Sequence, residues 1–217
     1  NYARDAAAAD AVCRGIEAAG GRAVAIHGDV ALEADVQTLF AEAAAALGPI
    51  SGLVNNAGIT GPVTRVDSVT EATLHRVFEL NVIGSFLCAR EAVRLMSTAN
   101  GGRGGAIVNV SSIAAQLGSP GEWVHYAASK GAIDSFTIGL AREVAAEGIR
   151  VNAVAPGLID TEIHAASGQP DRVTLMAPGI PMKRAGSADE AAAAIVWLLS
   201  PAASYVTGAI LPVGGGR

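Results

Sequence analysis

The 217 residues carry 15 Lys/Arg against 20 Asp/Glu, a net charge of -5, and 51% of them are apolar. Without a basic run there is no electrostatic footprint for nucleic acid, and no apolar stretch reaches the roughly 18 uncharged residues of a membrane span, so the expected location is cytoplasmic. Cys13 and Cys88 are neither a close pair nor part of a ligand cluster; both read as small hydrophobes, and no metal site is expected.

In chain order, Asp5 is a suitable N-cap for an alanine-rich helix over 6–19, stopped by Gly20-Gly21. Residues 22–27 read as a short apolar strand ending at His27, followed by Gly28-Asp29-Val30. A helix is predicted over 33–47, closed by Gly48-Pro49, and a buried strand over 51–54 runs into Asn55-Asn56-Ala57-Gly58. A long helix from about Glu71 to Met96 follows, then a strand over 106–110 ending in Ser111-Ser112. The next helix carries Tyr126 and Lys130 and stops at Gly148; a strand over 149–155 is broken by Pro156-Gly157. Residues 158–187 are polar and proline-punctuated, as in a mobile flap. A helix over 188–199 and a strand over 209–213 close the chain. Alternating helices and solidly apolar strands imply a parallel sheet covered on both faces, with no internal repeat and no dividing linker.

In such a sheet ligands bind outside the carboxyl ends of the strands. Here those ends carry Asp29, then Asn55 with Gly58, then Ser112, then Pro156 with Gly157. Gly58 lets a ligand approach the backbone closely. Tyr126 and Lys130, four apart, share one helix face, where an ammonium beneath a phenol favours the phenolate and brings proton transfer within reach of neutral pH. Each feature has a plainer alternative: a half-buried tyrosine beside a solvated lysine, asparagines tying a turn, an aspartate capping a helix.

Asn55-Asn56-Ala57-Gly58, Asn81-Val82-Ile83-Gly84, Ser111-Ser112, Tyr126 with Lys130, and Pro156-Gly157, in this order and spacing, resemble the short-chain dehydrogenases/reductases. The resemblance runs from Asn1 to Val206-Thr207-Gly208 and Gly214-Gly215. It implies an α/β, Rossmann-type doubly wound parallel sheet in three αβα layers: one NAD(P)-binding domain over 1–217 with a substrate flap at about 158–187. It also implies a catalytic set. Tyr126 matches the general acid/base, and Lys130 the residue that lowers its pKa and bonds the nicotinamide ribose. Ser112 matches the holder of the substrate oxygen, and Asn81 the residue that keeps the long helix open in the proton relay. Ser112 is preferred because Ile113-Ala114-Ala115 follows it; Ser111 stays open. For the cofactor, the resemblance points to Asp29 and Val30 at the adenine, Asn55, Ala57 and Gly58 on the ribose side, and Ile159 and Thr161 at the carboxamide and phosphates, beside Pro156 and Gly157.

The family's opening strand and glycine-rich turn do not appear, so the fold is expected to lack its first β-α unit within these residues and the natural protein to be longer. A cation, Arg4, follows the expected strand end where an acidic residue would repel a 2'-phosphate, which favours NADP(H) over NAD(H). The implied reaction interconverts a secondary alcohol and a ketone; a non-catalytic dinucleotide sensor or scaffold is the alternative. Thioester-ketone and glucose-type sugar substrates both suit the motifs, the former wanting a basic patch for which Lys183 and Arg184 are weak candidates. His27, His75, His125 and His164 have no metal-ligand spacing. Trp123 reads as pocket rim or subunit contact. Phe78, Leu87, Ile133, Phe136 and Leu140 read as core or a helix seam, and the resemblance suggests a homotetramer, or a homodimer, formed through the long helices and the last strand.

Overall fold

The computed structural model describes residues 1–217. Asp5 caps α1 (Ala6–Ala18) by accepting from the Ala8 N–H at 2.8 Å, yet α1 buries none of its side chains. The strand expected over 22–27 does not form a ladder. Its pairing is a single parallel bridge between Tyr2 and His27, in which Tyr2 donates to the Ile26 carbonyl and accepts from Gly28. A strand needs a row of partners, and Tyr2 supplies one before the chain turns into the α1 cap.

After α2 (Glu33–Leu47) and β1 (Gly52–Asn55), the long helix expected over 71–96 is interrupted. It is α3 (Glu71–Phe78), a π-helical turn over Glu79–Ile83, and α4 (Gly84–Met96). The widened turn coincides with Asn81, whose carbonyl accepts from the Ser85 hydroxyl at 2.9 Å and whose side chain bonds a separate loop. Side-chain competition for a helical carbonyl loosens the regular ladder, and such turns concentrate at functional positions.

β2 (Gly105–Val110), α5 (Ala114–Leu117), α6 (Val124–Val144) and β3 (Ile149–Pro156) follow. The chain passes from α6 to β3 through Gly148, at φ +77°, a left-handed turn that favours glycine. The segment expected to be loop holds short elements: β4 (Ile159–Asp160), α7 (Ile163–Ala166), α8 (Arg172–Met176) and β5 (Gly186–Ser187). β4 and β5 pair in parallel and close the flap at its base. Ser187 and Glu190 form a reciprocal capping box on α9 (Ala188–Leu199), and β6 (Ile210–Val213) ends the sheet.

The main sheet runs β1-β2-β3-β6, all parallel. Ile107 and Val151 pack on one face with Val36, Ala89, Met96 and Ala141 from α2, α4 and α6. Val108 and Val154 pack on the other with Leu198 of α9. Alternation along buried strands therefore produces the three-layer, Rossmann-like architecture. The register pairs Asn55 with Asn109 and Val110 with Val154, so the strands' carboxyl ends line up along one rim. Just inside it, Asn55 donates to the Ser85 carbonyl and the Asn109 side chain, which donates to Thr137 at 2.8 Å. This buried polar row fixes β1, β2 and α6 to one another.

Candidate active site

At the rim, the loops after β2 and β3, the first turns of α6 and the flap enclose a cleft of about 370 Å³. Ser112, Tyr126 and Lys130 all line it, with Gly58 and Asn56 from the loop after β1, and Pro156, Gly157, Ile159 and Thr161 after β3. Three groups from two segments thus meet in one recess.

α6 brings the Lys130 ammonium 5.8 Å from the centre of the Tyr126 ring. The lysine is only 5% exposed and donates to the Val110 carbonyl at 2.6 Å, so the end of β2 holds the cation. Burial lowers its pKa to about 8, while the nearby Asp134 charge raises it. The expected lowering of the phenol by this lysine is not what the structure shows. Burial raises the Tyr126 phenol above its ordinary value, and the opposing pull comes from Ser112. The ammonium is directed at a main-chain carbonyl, and desolvation of a half-buried phenol outweighs the attraction.

The adjacent serines diverge. Ser111 turns inward and donates to Asp134 at 2.5 Å, with the Lys130 carbonyl at 3.3 Å. Ser112 accepts from the Ala114 N–H at 3.1 Å and sits beside the phenol. Asn81, 1% exposed, lies behind the cleft wall: its side chain accepts from the Ile59 N–H and donates to the Ile59 carbonyl, both at 2.9 Å, and donates to Ser129 at 3.0 Å. It thereby clips the Gly58 loop to the π turn and to α6. A Cβ on Gly58 would stand 3.2 Å from the Asn81 amide oxygen and 3.5 Å from the Lys130 nitrogen. Glycine here keeps clear the space directly against the ammonium.

Over all of residues 1–217 the chain matches the family model described as enoyl-(acyl carrier protein) reductase. It is 52% identical to the uncharacterized oxidoreductase YgfF of Escherichia coli, covering all of this chain and 88% of that one. The chain belongs to the short-chain dehydrogenase/reductase family. This short-chain dehydrogenase/reductase is also 39% identical to glucose 1-dehydrogenase 2 of Bacillus subtilis, over 100% of this chain and 83% of that one. Among solved structures, it superposes on a gluconate 5-dehydrogenase from Burkholderia cenocepacia in complex with NADP and tartrate. The TM-score is 0.87 at 33% identity, over 98% of this chain and 82% of the other. The protein is accordingly an oxidoreductase.

Not every expected site residue of this short-chain dehydrogenase/reductase reaches the cleft. Arg4 is exposed at the start of α1, and Ala57 does not line the recess. Asp29 pairs with Arg76 at 3.2 Å and caps the Ala31 N–H, while Val30 belongs to the apolar core. The Asn55 amide is spent on Ser85 and Asn109, as short polar side chains at a buried strand end must be. Lys183 donates to the Pro178 carbonyl and Arg184 is paired with Glu190 at 2.6 Å, so they form no free basic patch.

One cleft residue, Arg172, has no local signal in the sequence. Arg172 of α8 reaches back to Glu122, ahead of α6, with a two-pronged ion pair at 2.7 and 2.9 Å, and its guanidinium covers the Trp123 ring at 4.5 Å. Trp123 is buried and donates to the Gly61 carbonyl, while His125 bonds the Thr60 carbonyl, so both hold the loop after β1. His164 lines the cleft with its ring on the Ile159 carbonyl. Ile133 is core, and Phe136 stacks on Phe86 at 3.8 Å.

Proposed function

We propose that the protein interconverts a secondary alcohol and a ketone with a nicotinamide cofactor, NADP(H) in preference to NAD(H). The observation that carries this reading is the meeting of Ser112, Tyr126 and Lys130 at the mouth of one cleft, with the Gly58 floor clear beside them. The bound nicotinamide supplies or accepts the hydride. In the reducing direction the Ser112 hydroxyl donates to the ketone oxygen, and the Tyr126 phenol hands over its proton as negative charge grows there. In the oxidising direction the phenolate takes the hydroxyl proton. Lys130 would keep positive charge next to that exchange and, with Gly58, Pro156, Gly157, Ile159 and Thr161, which line the same cleft, would hold the cofactor's nicotinamide end. The clear floor at Gly58 suits a flat ring.

The preference for NADP(H) rests on Arg4, exposed and free to meet a 2'-phosphate, and is supported by the NADP in the gluconate 5-dehydrogenase complex. The test compares NADPH and NADH turnover of a ketone panel in wild type and Arg4→Ala. A selective loss with NADPH is expected; a preference for NADH that the substitution leaves alone rejects the cofactor assignment. Trp123, Leu117, Leu158 and Ile163 give the cleft an apolar wall, which suits a ketone with a hydrocarbon body. Assembly with further copies through α4 and α6 belongs to the same reading: Phe86, Leu95 and Ile138 stay exposed there, around the stacked Phe86 and Phe136. A single-copy mass by light scattering at micromolar concentration would reject it.

A further inference from the structure

Asp134 lies one helical turn beyond Lys130 on α6, a partly buried carboxylate that the proposed chemistry does not use. Its oxygen takes the Ser111 hydroxyl at 2.5 Å, and the same hydroxyl lies 3.3 Å from the Lys130 carbonyl. Ser111 directly follows Val110, whose carbonyl receives the Lys130 ammonium at 2.6 Å, and directly precedes Ser112. One carboxylate therefore anchors the three-residue strand end that carries both the lysine's acceptor and the hydroxyl facing the substrate. We propose that Asp134 is a positioning residue for the active centre, fixing the 110–112 strand end through Ser111 and supplying the negative charge that keeps Lys130 an ammonium. This rests on the proposed roles of Ser112 and Lys130.

The surroundings of the lysine make that charge count. Tyr126 stands above it on the same helix; Asn81 and Gly58 approach from the loop side, and Val110 and Ser111 from the strand. Of these only Tyr126 ionises, and as a protonated phenol it carries no charge. Asp134 is the one ionised partner acting on Lys130 and opposes the desolvation that lowers the lysine to about 8. In return, Lys130 and the Ser111 hydroxyl pull the Asp134 carboxyl down against burial, which holds it above its ordinary value. The attraction between the two charges thus operates once Asp134 is ionised and falls away as Lys130 deprotonates around pH 8.

The 217 residues contain two lysines, Lys130 and Lys183, so the side-chain carbons of a lysine-labelled Lys183→Arg protein report Lys130 by itself in an NMR titration. Asp134→Asn keeps an oxygen to accept from Ser111 and removes only the charge. It is expected to move the Lys130 titration to lower pH, and to move the alkaline limb of kcat/KM the same way, with roughly a threefold or greater loss at pH values just above 8. Asp134→Glu is expected to restore both. An Asp134→Asn protein with the wild-type lysine titration overturns the charge role. In the unsubstituted protein, the Asp134 carboxyl carbon must show a step at the pH where Lys130 titrates; no such step overturns the coupling without relying on any variant to fold. Absence of nicotinamide-linked turnover in the wild type would sink the functional reading, while both titrations would still report the pair.

Discussion

Ser111 and Ser112, consecutive in the chain, both line the cleft and engage different groups of α6: Ser111 donates to Asp134 at 2.5 Å, while Ser112 stands beside the Tyr126 phenol. The Ser111 hydroxyl is committed to the Asp134 carboxylate, which leaves Ser112 as the hydroxyl beside the phenol. Ser112→Ala is expected to lower kcat by about 100-fold or more with KM changed much less, because its hydrogen bond strengthens as the substrate oxygen gains charge. Steady-state kinetics on the best ketone check this. Equal losses from Ser111→Ala and Ser112→Ala would erase the distinction drawn between them.

The raised phenol has a directional consequence. With its pKa above the ordinary value, Tyr126 is protonated at neutral pH and is ready to give a proton, not to take one. Ketone reduction should therefore be flat between about pH 6 and pH 8, while alcohol oxidation climbs with pH over the same range as phenolate accumulates. Tyr126→Phe should remove both, by about 1,000-fold, while cofactor still binds by fluorescence titration. Oxidation that declines as pH rises through that window would contradict the assignment of the phenol as base.

Burying Lys130 carries a stability cost with a definite pH signature. Its folded pKa, about 8, lies below the ordinary 10.5, so folding penalises the charged form. Below about 8 the penalty is present in full, on the order of 3 kcal/mol. As pH rises from there toward the unfolded pKa, the unfolded chain holds more protons than the folded one and the penalty fades. Lys130→Met should then be inactive yet melt no lower than wild type at pH 7, and its advantage should shrink on approach to pH 10. Calorimetric melts across that range decide it; a clearly lower Tm for the variant at pH 7 would show that the bond to Val110 outweighs desolvation.

The four strands of the main sheet and the presence of helices between them were legible in the sequence, because buried parallel strands are uniformly apolar and the crevice follows from their direction. Ser112, Tyr126 and Lys130 could be placed from the order of motifs. Three kinds of feature could not. The π turn at Asn81 is set by contacts with Ile59 and Ser129, residues 22 and 48 positions away. Asp134 acquires its partner only from Ser111, 23 positions earlier in the chain. The absence of a ladder over 22–27 is a matter of missing partners, whereas its composition is that of a strand. In each case the deciding term is a long-range contact, to which local periodicity is blind.

The Glu122–Arg172 pair spans 50 positions and joins the flap to the segment leading into Tyr126. Both ends matter. Arg172 is the more buried partner, its side chain 12% exposed against 37% for Glu122, and Glu122 is held below the usual carboxylate range chiefly by its hydrogen bonds to Arg172. Truncating one member leaves the other charge partly buried and unpaired, which costs more than the pair contributes. With Glu122→Gln, the guanidinium keeps its place over Trp123 but loses its counter-charge at the cleft wall. The expected result is a KM several-fold higher with kcat within about twofold, since the flap closes less readily while the reacting groups stay in place. Arg172→Met should do the same and should also speed proteolysis within 163–176, where α7 and α8 are otherwise held by few buried side chains. Lowering the pH toward the unperturbed carboxylate range should not reproduce these effects, because the depressed Glu122 pKa keeps the pair ionised there. Unaltered KM and proteolysis in both variants would show that the flap is held by its apolar contacts and by the β4–β5 base alone.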